Sequence, residues 1–560
     1  MSRLKTFMVF VIIIFLSTVI TCGGEDSSLA DRIFINGKIW TVDNNMPLAR
    51  CVAVRDGRII AVGEWNDVSS LAGKTTDIVD LEEQLMLPGF NDSHTHFTGG
   101  GFHLLGVKLK DAENEEEFGR RLAEKSKELP PGAWITGGTW DHDRWPSGKE
   151  PTAALIDRYV SDRPVFVTRY DGHMSVANSM ALKMAGVTAD TPDPPGGVID
   201  RKPGTREPTG LLRETAESLV GRIIPDHSKE EIKLAIETAL KHAAENGFTS
   251  IHQVDVTETD LDIYKELLEK NDLKARMYGF IPLSRKERFN DIVSKYHIGS
   301  SDWITLGGLK AFIDGSLGST TALFYEPYDQ NPNTSGIYVV DPDLLKRQIL
   351  EADAAGLQVA VHAIGDKANS DILDMFAEAV EKNGPRDRRF RVEHSQHMHA
   401  KDFKRYADLE VIASMQPYHA IDDGRFAEKR IGFERCKTTY AFRSFLDNGV
   451  VVAFGSDWTV APLDAIQGIY AAVTRRTLDG KHPGGWFPEQ KVTVEQAIEA
   501  YTMAPAFASF QEDTKGSITP GKLADMVVLS KDILTIPPAE IETAEIVMTI
   551  LNGNVVYAKK

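Results

Sequence analysis

Eight short apolar runs, rich in β-branched residues, recur between residues 89 and 514, with helical stretches such as "EEIKLAIETALKHAAEN" between several of them. Strands that alternate with helices are typical of a parallel sheet, and eight such units favour an α/β fold of the closed (β/α)8, TIM-like barrel type. The first run ends near residue 96, and the others cover residues 249–255, 275–281, 304–314, 357–365, 389–396, 410–417 and 449–458.

The two ends of the chain have a different character. Residues 31–88 and 515–560 consist of short strand-like pieces separated by turns. Because both segments are of the all-β type, we expect them to join as one small composite β-sandwich beside the barrel, which occupies residues 89–514. Residue pairs that favour hairpin turns occur at Asn36-Gly37, Asp56-Gly57 and Asn552-Gly553.

Residues 97–228 do not fit the barrel repeat. They are too long for a single connection between a strand and the next helix. They also contain strand-like runs of their own, "AWITGGTW" and "PVFVTRY". We therefore predict a large insertion after the first barrel strand, which caps the functional site.

The first 22 residues read as a signal for export. Arg3 and Lys5 precede an apolar run over residues 7–20, which is typical of a secretory signal peptide and short for a membrane span of about 20 residues. The run ends in "VITC", which resembles the lipobox of bacterial lipoproteins, although Thr21 departs from the usual small residue. We predict a lipid anchor on Cys22, a flexible tether over residues 23–30, and a membrane-anchored or periplasmic location. An ordinary signal peptide and an uncleaved anchor remain the alternatives.

Charge and cysteine content exclude two classes of protein. The net charge is −18, and no basic stripe offers phosphate contacts, so we expect no nucleic acid partner. The three cysteines, Cys22, Cys51 and Cys436, are too few and too widely spaced for a disulfide framework or a zinc ribbon.

Residues of metal-binding type stand at the ends of the predicted strands, where barrel enzymes carry their functional groups. His94 and His96 are two positions apart, so in a strand both imidazoles point to the same face. One such residue alone is more often a loop or turn residue, but the joint pattern in barrel order indicates a metal site. The set is His94, His96, Lys310, His362, His394 and Asp457.

The same motifs resemble a known family. "LPGFNDSHTH", "RYDGHMSVANSMAL", "LKAFIDGSLGSTTA", "VHAIGDKA", "VEHSQ" and "GVVVAFGSDW" are similar to the YtcJ-like branch of the amidohydrolase superfamily, which includes N-substituted formamide deformylases. The resemblance covers about residues 31–557. It implies a metal-dependent hydrolase on a (β/α)8 barrel with a flanking β-sandwich.

The resemblance also implies how the metal is held. One or two divalent ions, most often zinc, are expected, with manganese, iron and cobalt as alternatives. His94, His96 and Asp457 would hold the more buried ion, and His362 and His394 the other. In a binuclear site Lys310 would be N-carboxylated, and its carbamate would bridge both ions.

The reaction implied is hydrolysis of a carbon–nitrogen bond in a small amide or cyclic amide. A metal-activated hydroxide attacks the carbonyl, and Asp457 acts as general base and then general acid. Asp92 is expected to orient His94 or His96, or to be a turn residue. The alternatives are an esterase or lactonase that uses the same site, and an inactive barrel lipoprotein that only binds its ligand. A homodimer is the default assembly.

The insertion and the strand ends also supply candidate substrate contacts. His173 is the strongest of them, and Asn178, Glu214 and Tyr418 are further candidates. Four other histidines, His252, His397, His399 and His419, are expected to be neighbours of the site rather than ligands. The substrate-binding candidates in the predicted set are His173, Trp140, Asp141, Asp314 and Gln416.

Overall fold

The computed structural model describes residues 29–170, 172, 174–195, 197–299 and 301–559. The predicted signal peptide, the lipidation of Cys22 and the tether lie outside the described residues, except for the last two tether positions. So does His173, the favoured substrate contact.

Eight parallel strands form the centre of the molecule, which confirms the predicted barrel. Each strand pairs with its sequence neighbour, and the first and last meet through backbone hydrogen bonds: Asp457 N donates to His94 O at 2.7 Å, and His96 N donates to Trp458 O at 2.9 Å. Barrel strands 1 to 8 are Phe90–Thr95, Phe248–Gln253, Arg276–Pro282, Ile304–Phe312, Gln358–Ala363, Arg391–His394, Ile412–Met415 and Val452–Phe454.

Helices cover the outside of the barrel, so most strands are buried on both faces. The helix Lys229–Glu245 illustrates how they begin and end. Ser228 and Glu231 form a capping box at its start, and Gly247, with φ of 79°, turns the chain into barrel strand 2. The other helices that follow barrel strands 2 to 8 are Glu258–Glu269, Phe289–Tyr296, Pro342–Ala354, Asp366–Asn383, Asp402–Asp408, Pro417–Asp423, Ala427–Ile431, Phe433–Cys436, Phe442–Asp447, Ala465–Thr474, Val494–Ala500 and Met503–Ala508.

Strands from both termini build a two-layered β-sandwich, as expected. Phe34 and Ile39 from the amino-terminal part pack with Met526 and Ile550 from the carboxyl-terminal part in one apolar core. One sheet contains Asn554–Ala558, Ile546–Leu551, Met526–Leu529, Leu85–Pro88, Lys38–Trp40 and Leu48–Ala49, and the other Arg58–Gly63, Cys51–Arg55, Arg32–Ile35 and Asp77–Asp80. The short helix Trp65–Val68 lies beside the second sheet.

The hairpin expectation is wrong at one of its three positions. Asp56-Gly57 and Asn552-Gly553 join antiparallel neighbours. Asn36-Gly37 instead joins strands that belong to the two different sheets. Gly37 lies against Leu81, where a Cβ would come within 2.6 Å of the leucine side chain, so packing between the layers accounts for this glycine.

The insertion after barrel strand 1 forms a separate layer, called the cap below. Its six-stranded sheet has its own apolar core around Trp140, Trp145 and Phe118. The strands are Val107–Lys108, Ile135–Trp140, Val165–Arg169, Met174–Ala177, Gly197–Arg201 and Pro208–Glu214, and the helices are Phe97–Leu105, Glu115–Glu128, Ala153–Asp157, Ser179–Ala185 and Ser218–Gly221. Within the part of the chain that the structure describes, no helix has both the length and the apolar character of a membrane span.

Candidate metal centre

The imidazole of His94 is held by a buried ion pair. Its Nδ1–H donates to Glu393 Oε2 at 2.5 Å, and Glu393 in turn accepts from Arg391 Nε at 2.8 Å. Arg391 also donates to the carbonyl of Ser93 at 2.6 Å. These contacts fix the ring of His94 and leave its Nε2 atom facing Asp457, whose Oδ1 lies 3.5 Å away.

The other three imidazoles are oriented in the same way. His96 Nδ1 donates to Asp255 at 2.7 Å, and His394 Nδ1 donates to Gln416 Oε1 at 2.9 Å. His362 Nε2 donates to the carbonyl of Gly315 at 3.0 Å. Every ring thus uses one nitrogen as a donor to the protein and keeps the other available, which is the usual arrangement around a ligated metal.

The available nitrogen atoms converge on one place. Ligand atoms of His94, His394 and Asp457 all lie within 4.8 Å of one another. The His96 Nε2 atom is 3.5 Å from Asp457 Oδ1, and the rings of His362 and His394 are 4.4 Å apart between centroids. This spacing suits a shared divalent ion, because metal–ligand distances of about 2 Å place neighbouring ligand atoms roughly 3 to 4 Å apart.

Burial keeps most of these rings neutral. Desolvation, reinforced by the charge of Lys310, holds the pKa of His94 well below its usual range and lowers that of His362 to about 3. The pKa of His394 is also far below normal, mainly through burial. Burial alone would also lower the pKa of His96, but the hydrogen bond to Asp255 and the charge of Asp457 raise this pKa above its usual value. Neutral imidazole is the form that binds a metal.

Lys310 is the unusual member of the group. Its Nζ atom is buried without a hydrogen-bond partner among the described residues and lies 4.4 Å from the centroid of the Phe312 ring. Burial lowers its pKa to about 8, although Glu393 and Asp457 act in the opposite direction. A buried amine without a partner is costly, so its position in the cavity lined by the ligand residues fits a group that is completed by a metal or by modification.

Asp457 lies beside the imidazoles because it follows barrel strand 8, which closes the barrel against strand 1 and its His94. Its backbone φ is 55° and that of His394 is 75°, a left-handed conformation that costs about 1 kcal/mol for a residue with a side chain. Such strain concentrates at functional sites. Burial raises the pKa of Asp457, while nearby His96 and His419 oppose the shift.

Asp92 contacts the backbone rather than the imidazole ring of His94 or His96. Its carboxylate accepts from the backbone N–H groups of His94 and Ser456, both at 3.0 Å. Among the described residues it bonds to no imidazole ring, and it instead joins barrel strand 1 to the segment that follows strand 8. Burial raises its pKa to about 7. Gly455 is needed at this junction, because a Cβ would lie 2.6 Å from His94 N.

The six predicted ligand residues line one cavity of about 490 Å³, called the active-site cavity below. The cap contributes Asp141, Arg169 and Tyr170 to its wall. Other parts of the wall come from the loop after strand 4 and from the helices after strand 7. Away from the metal ligands the cavity is strongly charged, with side chains of Asp141, Asp422, Asp423, Arg169, Arg425 and Arg430.

Of the predicted substrate contacts within the described residues, only Asp141 lines this cavity. Trp140 is fully buried in the cap, where its Nε1–H donates to Val167 O at 2.9 Å. Asp314 accepts from three backbone amides, among them Leu323 N and Gly365 N, both at 2.8 Å, and so shapes the loop behind His362. Gln416 lies behind His394 as its hydrogen-bond acceptor. Trp140, Asp314 and Gln416 therefore support the site from outside its wall.

The remaining candidates also lie outside the active-site cavity. Asn178 caps the helix Ser179–Ala185, and Glu214 ends an outer cap strand in an exposed position. Tyr418 borders an adjoining pocket with Lys110. Of the four neighbouring histidines, only His419 lines the cavity, and its ring is parallel to that of His394 with 6.5 Å between the ring centroids. His252 contacts Arg391, and His397 contacts Thr439. His399 lies at the surface.

Several functional residues were not singled out from the sequence. Arg391 and Glu393 are two residues apart in barrel strand 6, so both point to the same face, where they form a buried ion pair. Their opposite charges at this spacing in a predicted strand were the available signal. Asp255 follows barrel strand 2, where an acid at a strand end was the signal. Arg169 and Tyr170 stand in the motif "RYDGHMSVANS" of the cap.

A closed parallel barrel with four imidazoles, a lysine and an aspartate gathered in one cavity defines a metal-dependent hydrolase. Residues 77–557 match the amidohydrolase family, and the chain belongs to that family. Membership makes the protein a hydrolase of carbon–nitrogen bonds.

Relatives extend over nearly the whole chain. It is 40% identical to the Protein LONG AFTER FAR-RED 3 of Arabidopsis thaliana, over 90% of this chain and 87% of that protein. It is 31% identical to the putative amidohydrolase YtcJ of Bacillus subtilis (94% and 99% covered) and 26% identical to the N-substituted formamide deformylase of Arthrobacter pascens (95% and 99% covered). A crystal structure of a metal-dependent hydrolase from Pyrococcus horikoshii superposes with a TM-score of 0.75 at 27% identity, over 91% of this chain and 99% of that one. The resemblance to the YtcJ-like branch is confirmed.

Proposed function

We propose that the protein hydrolyses the carbon–nitrogen bond of a small amide, with Asp457 as general base and general acid. The observation that carries this proposal is the convergence of His94, His96, His362, His394, Lys310 and Asp457 on one cavity beneath the cap. Each of the four imidazoles is also oriented by its own hydrogen-bond acceptor, which is the arrangement that metal-binding histidines show in proteins.

The donor set fits zinc or a similar divalent ion, because it consists of neutral imidazoles and a carboxylate. His94, His96 and Asp457 would hold one ion, and His362 and His394 a second. When bound, such an ion polarises an acyl carbonyl and lowers the pKa of water to about 7. The protein supplies the rest: it fixes the ligands and encloses the substrate under the cap.

Asp457 is the residue placed to move the proton. Its carboxylate is 3.5 Å from both His94 Nε2 and His96 Nε2 and borders the active-site cavity. In this position Oδ1 or Oδ2 takes a proton from the attacking water and then delivers it to the nitrogen of the leaving amine. Burial favours the protonated form that this second step requires.

Lys310 is proposed to carry a carbamate when two ions are present. Its neutral amine adds to the carbon of carbon dioxide, a nitrogen–carbon bond forms, and one proton is released. The lowered pKa of about 8 makes the neutral amine accessible near neutral pH. The product is an anion with two oxygen atoms, which would remove the penalty of an unpaired buried ammonium.

The test uses the full-length chain, purified and then loaded with zinc. Elemental analysis and native mass spectrometry measure the metal per chain and any added carbon dioxide on Lys310. N-substituted formamides, acetamides and matched esters are then assayed. We expect bound metal, amide hydrolysis, and at least a 100-fold loss of kcat in Asp457→Asn, measured at saturating zinc because this variant also loses a proposed metal ligand. Leu234→Trp, a change on an exposed helix face, serves as control.

Two results would overturn the proposal. A chain that takes up no zinc or manganese would show that the imidazole cluster is not a metal site. A metal-loaded chain that cleaves esters and leaves every amide intact would show an esterase that uses the same groups.

We also propose that residues 1–22 direct export and that Cys22 carries the lipid anchor. The charged start, the apolar run and the final "VITC" support this location. Expression of the full-length chain in a bacterium, followed by detergent phase partition, tests it. Wild-type protein should enter the detergent phase, and Cys22→Ser should not. Equal partition of both into the aqueous phase would contradict lipidation.

A further inference from the structure

A second cavity, called the side chamber below, opens from the far side of the metal centre. It measures about 600 Å³ and lies over the ends of barrel strands 2 to 4, whereas the active-site cavity lies under the cap. Both cavities are bordered by His96, Lys310 and Phe312. The metal centre therefore stands at a junction between two spaces, and a substrate at the metal can extend into each of them.

The walls of the two spaces differ in chemistry. The inner wall of the side chamber is formed mainly by buried aliphatic side chains, including Val256, Leu261, Ile281, Ile292 and Leu345. Its polar residues beyond His96 and Lys310 are half-buried or exposed, and they therefore line the solvent-facing rim: Asp255, Thr257, Glu258, Ser284, Arg285, Arg288 and Gln348. The active-site cavity instead carries three acidic and three arginine side chains beyond the metal ligands. A molecule that spans both spaces needs one apolar end and one polar end.

The position of Asp457 indicates which end of the substrate lies in which cavity. Asp457 borders the active-site cavity and is absent from the wall of the side chamber. In the proposed reaction Asp457 delivers a proton to the leaving nitrogen, so the amine half must face the active-site cavity. The acyl half then points past Phe312.

We propose that the substrate is an N-acyl amine whose apolar acyl chain, longer than formyl, occupies the side chamber, while a polar amine half occupies the active-site cavity. This inference rests on the proposed amide hydrolysis and adds the class of substrate. A formyl group would leave the side chamber without an occupant.

Two substrate series on the full-length, zinc-loaded chain test the orientation. One series lengthens the acyl group from formyl to acetyl, butanoyl, hexanoyl and octanoyl on a constant polar amine. The other lengthens an N-alkyl group on a constant formyl. We expect kcat/KM to rise roughly fourfold for each added methylene in the acyl series, as the burial of one methylene implies, and to stay flat in the alkyl series. A rise confined to the alkyl series would overturn the proposed orientation.

Leu344→Trp tests the location. Leu344 lies on the helix Pro342–Ala354 and is 37% exposed, so a larger side chain narrows the side chamber with little burden on folding. We expect at least a tenfold loss of kcat/KM for the octanoyl substrate and little change for the acetyl one. Leu234→Trp is the matched control, because Leu234 is also an exposed helical leucine and borders neither cavity. A loss that is equal for all chain lengths would contradict the assignment.

Calorimetric binding of acetate, butanoate, hexanoate and octanoate makes the test independent of turnover. Affinity for the zinc-loaded chain should rise with length in the wild type and in Leu234→Trp, and lose this dependence in Leu344→Trp. Length-independent binding would overturn the side-chamber proposal even if amides are hydrolysed. Length-dependent binding without hydrolysis of any amide would uphold the side chamber as a site for an apolar acyl chain and refute the proposed function.

Discussion

His94 Nδ1 lies 2.5 Å from Glu393 Oε2, and both side chains are buried, with at most 1% of either exposed. Glu393 is held in place by Arg391, which also binds the carbonyl of Ser93, the residue before His94. The Glu393 carboxylate thus fixes both the tautomer and the orientation of the His94 imidazole, a candidate metal ligand. Because water is excluded, the charge-assisted hydrogen bond between His94 and Glu393 is strong. Loss of the Glu393 carboxylate would leave Arg391 as a buried charge without a counter-ion.

Glu393→Gln should weaken zinc binding by about 10-fold to 100-fold, because His94 loses the acceptor that raises its basicity. It should also lower the melting temperature of the metal-free chain, since Arg391 would remain a buried cation without a counter-charge. Competition with a chromogenic chelator measures the first effect, and scanning calorimetry measures the second.

Asp255→Asn is the matched comparison. Asp255 is the acceptor for the other histidine of the pair, His96, but 46% of its side chain is exposed. Water can replace part of its contribution, so zinc affinity should fall less than in Glu393→Gln. Equal losses in the two variants would mean that burial of the Glu393 carboxylate adds nothing to metal binding.

Lys310→Ala should abolish binuclear metal binding and lower kcat by at least 100-fold, since it removes the proposed bridging carbamate. Short carboxylates such as formate, acetate and propionate supply the same two oxygen atoms, and the space vacated by the lysine can admit them. Part of the activity should therefore return at millimolar propionate. The measurement is kcat and metal content against carboxylate concentration, with Lys310→Met as the variant that leaves no such space. Full activity of Lys310→Ala without any carboxylate would exclude the bridge.

The predicted ligands follow from sequence because each one stands beside an apolar strand, and the barrel brings strand ends together wherever they lie in the chain. His94 and Asp457 are 363 positions apart by their residue numbers, yet their backbones bond directly. The role of Asp92 could not be predicted in this way. It depends on Ser456, which becomes a neighbour only when the barrel closes.

Roles within the cap were harder to assign for a similar reason. Trp140 and Asp141 are adjacent in sequence and were expected to have the same role, but Trp140 ends a cap strand and Asp141 follows it, and consecutive residues of extended chain point to opposite sides. One side chain therefore fills the cap core, and the other reaches the active-site cavity. Without the curvature and placement of the cap sheet, the sequence does not tell which face is which.

Trp140→Phe and Asp141→Asn should consequently behave differently. Trp140→Phe loses the hydrogen bond to Val167 O, worth about 1 kcal/mol, and should lower the melting temperature while KM stays unchanged. Asp141→Asn removes a charge from the cavity wall and should raise KM severalfold, with the melting temperature nearly unchanged. Steady-state kinetics on the best amide and thermal melts of both variants check this. A shift of KM in Trp140→Phe alone would reverse the assignment.

Lys515 gives a prediction about stability rather than catalysis. It is 5% exposed at the junction of sandwich and barrel, and its Nζ donates to Ser250 Oγ at 2.8 Å. Burial lowers its pKa from 10.5 to about 7. Between these values the unfolded chain holds one more proton than the folded chain, so folded-state stability rises with pH from 7 toward 10.5. The increment is at most about 1.4 kcal/mol per pH unit.

Lys515→Met removes this proton and keeps most of the side-chain volume. The variant should therefore melt at a higher temperature than the wild type near pH 7, and the difference should shrink steadily as the pH rises toward 10.5, above which the wild-type amine is neutral in both the folded and the unfolded chain. Ser250 loses its partner at every pH, so that effect shifts all the variant's values equally. Lys74→Met, a change at an exposed lysine, is the control and should follow the wild type. A difference between Lys515→Met and wild type that stays constant from pH 7 to 10 would show that Lys515 keeps its proton in the folded chain.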